Sequence, residues 1–184
     1  MKEIRIHGRG GQGSLVLAQF MAIAALHDDT FGLAFPYLGG GGERRGKPVM
    51  AFCRLDREAI RLRSNVKEPD FLIVQDATIF QEEDVLYGLK PGSVMLVNTD
   101  KGVDELGLPG IEARVFTFSG GEVARRILGR PIMNTALLGA FAALTGELSL
   151  EACCEAVRSK FPGELGTKNV QVVEASFQQM RDQL

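Results

Sequence analysis

The sequence predicts an α/β chain, a three-layer α/β/α sandwich around a mainly parallel sheet, formed by a single domain over residues 1–184. Three observations predict it. Residues 3–7 alternate charged and apolar side chains, run into glycines between 8 and 13, and are followed by an apolar helical segment. Strand, glycine loop and helix in that order open an α/β domain. Short apolar runs bounded by turn residues then recur up to residue 118, and from Ser119 onward the patterns are helical. A length of 184 residues fits about one domain at roughly 150 residues each.

The elements follow in order. The helix over 14–26 is hydrophobic nearly all round, which predicts burial. Residues 30–36 and 48–55 read as strands with no helix between them, a hairpin-like pair that would make the sheet mixed. Lys67-Glu68-Pro69-Asp70 is a turn before a short buried strand over 71–74. Residues 79–86 suit a short amphipathic helix stopped by Gly88, and Lys90-Pro91-Gly92 turns into a strand over 93–97. A glycine-rich excursion over 101–112 precedes a strand over 114–118. Ser119 is placed as the N-cap of a helix ending near Gly129.

Residues 134–144 are apolar on all faces, which implies burial in the fold or in a subunit interface. Ser149 caps a helix whose apolar face holds Leu150, Cys153, Cys154, Val157 and Phe161. The last helix carries a stripe of Val170, Val173, Phe177 and Met180.

Composition excludes several classes. With 45% hydrophobic residues the chain has ample material for a core. Its 21 basic and 23 acidic residues give a net charge of -2, without the basic excess of a nucleic-acid binder. Three cysteines, an odd count without a CxxC, argue against a disulfide framework and are too few for an iron–sulfur cluster. Two histidines offer no zinc spacing, so no metal site is expected. The N-terminus reads as an immediate strand rather than a signal peptide. The longest uncharged stretch, 10–26, falls short of a membrane span. The reading is a protein of a reducing cytoplasm, with neither membrane nor nucleic acid as partner.

Glycine, 22 of 184 residues, is the outlier. Gly8, Gly10 and Gly13 fit G-x-G-x-x-G between a strand and a helix. Small residues there let backbone N–H groups approach a phosphate, and the helix N-terminus adds partial positive charge. Against a dinucleotide site, the end of the second strand holds Phe35-Pro36-Tyr37, with no carboxylate for a ribose. Three readings stand at this stage: an anion or cofactor contact, tight strand-to-helix packing, and a dinucleotide site. The second glycine-rich segment, Gly39 to Gly42 followed by Glu43-Arg44-Arg45-Gly46, is costly to order. It suits a lid or a surface moulded on a partner, with Arg44 and Arg45 as an anion clamp. A solvated hairpin tip fits equally.

No catalytic set is found. A G-x-S-x-G elbow is absent. His7, taken to follow the first strand, and His27 at a helix end read as structural or surface histidines. Asp76 and Asp100, near the C-terminal ends of strands, read as caps.

At this point the residues resemble a known family. Gly8-Arg9-Gly10-Gly11-Gln12-Gly13, Gly42-Glu43-Arg44-Arg45-Gly46-Lys47-Pro48, Glu68-Pro69-Asp70, Asn134-Thr135-Ala136-Leu137-Leu138-Gly139-Ala140, and Lys168-Asn169 opening the last helix occur in order and at matching spacing. Together they are similar to the gamma subunit of 2-oxoacid:ferredoxin oxidoreductases. The resemblance implies a subunit, inactive alone, of an enzyme that decarboxylates pyruvate or a related 2-oxoacid to an acyl-CoA and reduces ferredoxin.

It places thiamine diphosphate and [4Fe–4S] clusters in alpha and beta partner subunits, with a delta subunit as a further candidate. It gives Gly8, Arg9, Gly10, Gly11, Gln12 and Gly13 a role facing coenzyme A. Glu43, Arg44, Arg45, Gly46 and Asn134 receive interface or lid roles. Nothing in it assigns this chain a cofactor of its own. A stand-alone dinucleotide-binding protein and a purely structural assembly module are the alternatives.

Overall fold

The computed structural model describes residues 1–37, 45–108 and 110–184. Its frame is a six-stranded sheet in the order β2-β3-β1-β4-β5-β6. The strands are β1 (Lys2–Arg9), β2 (Phe31–Pro36), β3 (Pro48–Asp56), β4 (Phe71–Val74), β5 (Val94–Asn98) and β6 (Arg114–Phe118). β1, β4, β5 and β6 run parallel, and β3 is antiparallel to both of its neighbours, β1 and β2. The sheet is therefore mixed, as the hairpin-like pair suggested.

Among the described residues there are five helices: α1 (Ser14–His27), between β1 and β2, then α2 (Gly120–Leu128), α3 (Asn134–Thr145), α4 (Leu150–Lys160) and α5 (Gly163–Arg181) after β6. Side chains alternate across a strand with period two, and that alternation divides the core. Ile4, Ile6, Ala51, Cys53, Phe71, Ile73 and Leu96 bury one face of the sheet against all five helices. Leu72, Val74, Met95 and Val97 bury the other face against Ile79, Val85 and neighbouring loop residues.

The third layer of the expected sandwich is present on that second face, but it holds no α-helix among the described residues. It is built of two 3-10 turns (Ala77–Gln81 and Val103–Leu106) and irregular chain. Irregular backbone leaves carbonyls unpaired, and buried carbonyls need donors. Two arginines of the sheet supply them. Arg5 donates to the carbonyls of Lys67 (3.1 Å), Val85 (2.9 Å) and Tyr87 (2.6 Å). Arg54, buried beside Glu3 at 2.7 Å, donates to the carbonyl of Leu62 at 2.9 Å.

Several local expectations are corrected. The helix expected over 79–86 is the 3-10 turn Ala77–Gln81 followed by turns. Asp76 starts it, Glu82 is drawn to Arg9, and the three consecutive acids Glu82 to Asp84 oppose a continued helix. The excursion over 101–112 contains a 3-10 turn. Lys168 and Asn169 do not open the last helix but lie inside α5, which begins at Gly163 behind Pro162. His7 lies within β1 rather than after it. Ser119 occupies the N-cap position of α2, yet its hydroxyl donates to the Thr99 carbonyl instead of capping. α1 is not buried all round: Val16 is 39% and Leu26 59% exposed. Among the described residues its outer side is left partly exposed.

Candidate functional site at the glycine turn

β1 ends where its C-terminal glycines turn into α1. The Gln12 N–H donates to the Arg9 carbonyl (2.9 Å), and the Gln12 side-chain oxygen accepts from the Arg9 N–H (2.7 Å). Gly11 and Gly13 adopt left-handed backbone, with φ of 94° and 76°. The turn is tied to the far end of the second glycine-rich segment. Gly10 donates to the Lys47 carbonyl (2.8 Å), and Gly46 donates to the Gly10 carbonyl (2.9 Å). The glycine turn and residues 45–47, read separately in the sequence, are thus joined. Glu43 and Arg44, with Gly39 to Gly42, lie outside the described residues.

Arg9 clamps this assembly. Its guanidinium donates to Asp76 (3.2 Å), to Glu82 (2.6 Å), to the Thr78 hydroxyl (2.5 Å) and to the Gly46 carbonyl (3.1 Å). The hydrogen bond to Glu82, against some desolvation and with Asp76 nearby, raises the Arg9 pKa further. Burial raises the Asp76 carboxyl, but hydrogen bonds from the Thr78 hydroxyl and N–H and from the Gln12 amide, with Arg9 beside it, hold it below its ordinary value. Asp76 is a cap, as expected, since it accepts the Thr78 N–H; it is equally a member of the site.

Beneath the turn lies a chain of buried amides. The Ser14 hydroxyl donates to the Gln75 side-chain oxygen (2.6 Å), and the Gln75 amide donates to the Asn134 side-chain oxygen (2.8 Å). The Asn98 amide donates to the Gln75 carbonyl (3.0 Å). A Cβ on Gly8 would stand 2.4 Å from both the Gln75 oxygen and the Ser14 hydroxyl, and one on Gly13 would stand 2.5 Å from the Asn134 nitrogen. These two glycines make room for side chains of the same protein. Asn134, expected at an interface or lid, is buried at the start of α3 against the underside of the turn.

The residues brought together are therefore Gly8 to Gly13, Arg45, Gly46 and Asn134, joined by Ser14, Gln75, Asp76, Thr78 and Glu82. Ser14, Gln75, Thr78 and Glu82 were missed, and of these Gln75 carried a signal. Its signal was position: the first polar residue after a fully apolar strand, at the carboxyl end where α/β sites collect.

Chemically, the exposed side of the turn offers donors and cations. The first α1 bond in the chain is from the Leu17 N–H to the Gly13 carbonyl. The N–H groups of residues 14–16 precede it, and the first turn carries no acid. Such a terminus favours anions. Arg45 and Lys47 are exposed beside it. The end of β2, Phe35-Pro36, carries no carboxylate. No group of three or more His, Cys, Asp or Glu residues able to hold a metal occurs among the described residues. His7, two residues upstream, is buried with its Nε2 unpartnered; burial, then the charge of Arg5, push its pKa down to about 3. It is a neutral, structural histidine.

Fold and site define an α/β domain organised around a clamped glycine turn, without a nucleophile–base pair among the described residues of that turn. The chain belongs to the pyruvate ferredoxin/flavodoxin oxidoreductase family, whose profile matches residues 3–179. It is 44% identical to the pyruvate synthase subunit PorC of Methanocaldococcus jannaschii over 180 residues, 98% of this chain and 97% of the relative. It is 42% identical to the pyruvate/ketoisovalerate oxidoreductases common subunit gamma of Thermococcus kodakarensis, over 96% of each chain. The crystal structure of pyruvate oxidoreductase subunit PORC from Thermotoga maritima superposes with a TM-score of 0.84 at 32% identity, covering 96% of this chain and 95% of that one.

Proposed function

We propose that residues 1–184 act as one gamma-type domain, a subunit of a 2-oxoacid:ferredoxin oxidoreductase that converts pyruvate or a related 2-oxoacid to acyl-CoA and CO2 and passes electrons to ferredoxin. The observation that carries this is the end-to-end match to subunits so named, over 98% of this chain in one case. In this reading thiamine diphosphate and iron–sulfur clusters belong to alpha, beta and delta partner subunits in the cytoplasm. No helix among the described residues is long and apolar enough to cross a membrane.

The glycine turn is proposed to face coenzyme A, which carries phosphates. The N–H groups at the start of α1, with Gly11 to Gly13 exposing them and Arg45 and Lys47 alongside, supply the charge and donors that such a ligand takes. Gly8, Arg9, Gly10 and Gln12 shape the turn rather than contact the ligand, because their bonds lie within the chain. A second reading, the turn as a purely structural joint, is favoured by the amides that fill the space behind Gly8 and Gly13.

The test is anaerobic purification of the tagged chain from its own cells, with partner masses, iron and thiamine quantified. Recovery with iron- and thiamine-bearing subunits is expected; a lone, metal-free protein overturns the assignment. In the recovered complex, Arg45→Glu with Lys47→Glu is expected to raise the KM for coenzyme A several-fold with little change in kcat. An unchanged KM selects the structural joint.

A further inference from the structure

β2 is an edge strand, bonded only to β3. The Tyr37 N–H donates to the Met50 carbonyl at 3.1 Å. With the register Phe31–Asp56, Leu33–Arg54 and Phe35–Phe52, the odd-numbered residues of β2 exchange bonds with β3. Gly32 and Ala34 therefore turn their N–H and C=O groups to the open edge, where they find no partner among the described residues. Edge strands are ordinarily guarded by charges, bulges or cover. This one reads Phe-Gly-Leu-Ala-Phe-Pro, with no charge, and its one guard is Pro36 at the end.

α1 lies on the same flank. Gly32 lacks the side chain that would meet the Ala22 backbone at 2.4 Å, so the helix rests directly on the strand. Ser14–His27 contains no Asp, Glu, Lys or Arg. Leu15, Val16, Gln19, Ala22, Ile23 and Leu26 are partly or wholly exposed and form one stripe at helical spacing. A helix apolar on its outer side is normally covered.

We infer that this flank is an interface between two copies of the chain, with β2 pairing antiparallel to the β2 of a second copy about a two-fold axis at Leu33. Such an axis sets Gly32 opposite Ala34 twice, which makes four N–H···O bonds from the groups now unpaired. It opposes Phe31 to Phe35 and Leu33 to itself, so apolar residues meet apolar residues with no charge opposed. Because α1 runs antiparallel to the strand it rests on, the two α1 helices also run antiparallel. The acid-free first turn of each then lies towards the end of its neighbour, where the exposed Asp29 follows the helix. Positive helix start meets negative helix end. The helical strip is about 21 Å long, from 14 residues at 1.5 Å each.

The test is the mass of the purified full chain in solution by light scattering and analytical ultracentrifugation over the micromolar range. Twice the 20.0 kDa of one chain is expected. Leu26→Lys with Phe31→Lys, both at exposed positions, is expected to halve that mass. Leu62→Lys, also exposed but on the irregular layer held by Arg54, is expected to leave it unchanged. Amide exchange at Gly32 and Ala34 should be slow in the dimer and fast in the double variant. If circular dichroism shows the double variant unfolded, Leu26→Glu alone replaces it. A monomer throughout, a dimer indifferent to these substitutions, or a dimer with fast-exchanging Gly32 and Ala34 overturns the inference.

Discussion

At Gly8 and Gly13 the amides of Gln75 and Asn134 occupy the space a side chain would take, which makes these positions the least substitutable in the turn. Gly8→Ala must displace the Gln75 oxygen and break its bond to Ser14, leaving a buried polar group unpaired at a cost of about 1–3 kcal/mol. Gly13→Ala adds a left-handed backbone penalty of about 1–2 kcal/mol to its clash. Gly46→Ala, with φ of 80° and open space around it, should cost the backbone penalty alone. Urea denaturation midpoints should rank the three, with Gly46→Ala mildest.

His7 makes a separate prediction. Its pKa falls from 6.5 unfolded to about 3 folded, so below pH 6.5 the unfolded chain takes up a proton that the native state refuses. Stability should therefore drop by up to roughly 1.4 kcal/mol per pH unit as pH falls from 6.5 towards 3. That part of the acid slope should vanish in a folded His7→Gln variant.

Among the elements, those that announce themselves by period or by punctuation were legible. The strand over 71–74 has its expected bounds, and α3 begins at Asn134. α4 begins behind Ser149, whose hydroxyl accepts the Ala152 N–H at 3.0 Å. That same hydroxyl donates to Asp28 (2.6 Å), tying the helix start to the end of α1. Ser149→Ala should therefore cost about 1–2 kcal/mol in thermal unfolding, towards the upper end for a cap.

What was illegible depends on partners distant in sequence. Arg9 and Asp76 are 67 positions apart, and neither residue alone announces an ion pair. Arg5 and Arg54 look like surface positions of alternating strands; their carbonyl partners exist only once the irregular layer folds over them. The apolar wheel of α1 predicted burial, and the exposed stripe records where the packing of the described residues stops.

For the molecule as a whole, both apolar clusters share one sheet, so unfolding should be a single cooperative event. Cys53 in β3 and Cys153 and Cys154 in α4 lie in the same cluster. Burial pushes all three thiols up, Cys154 to about 11. All three should resist thiol reagents in the native state and become reactive together, at the urea concentration where far-ultraviolet circular dichroism is lost. Labelling of Cys153 or Cys154 ahead of that transition would show α4 opening on its own.

The central place of β1 bears on how the chain is made. Its two neighbours pair Ile4 with Cys53 and with Phe71, so this strand leaves the ribosome dozens of residues before either of its sides can be filled. Uncharged α1 emerges directly behind it. Throughout that interval the nascent chain exposes its stickiest segment with nothing yet translated to cover it. Chaperone depletion during synthesis, and slower translation between residues 30 and 75, should therefore each lower its soluble yield.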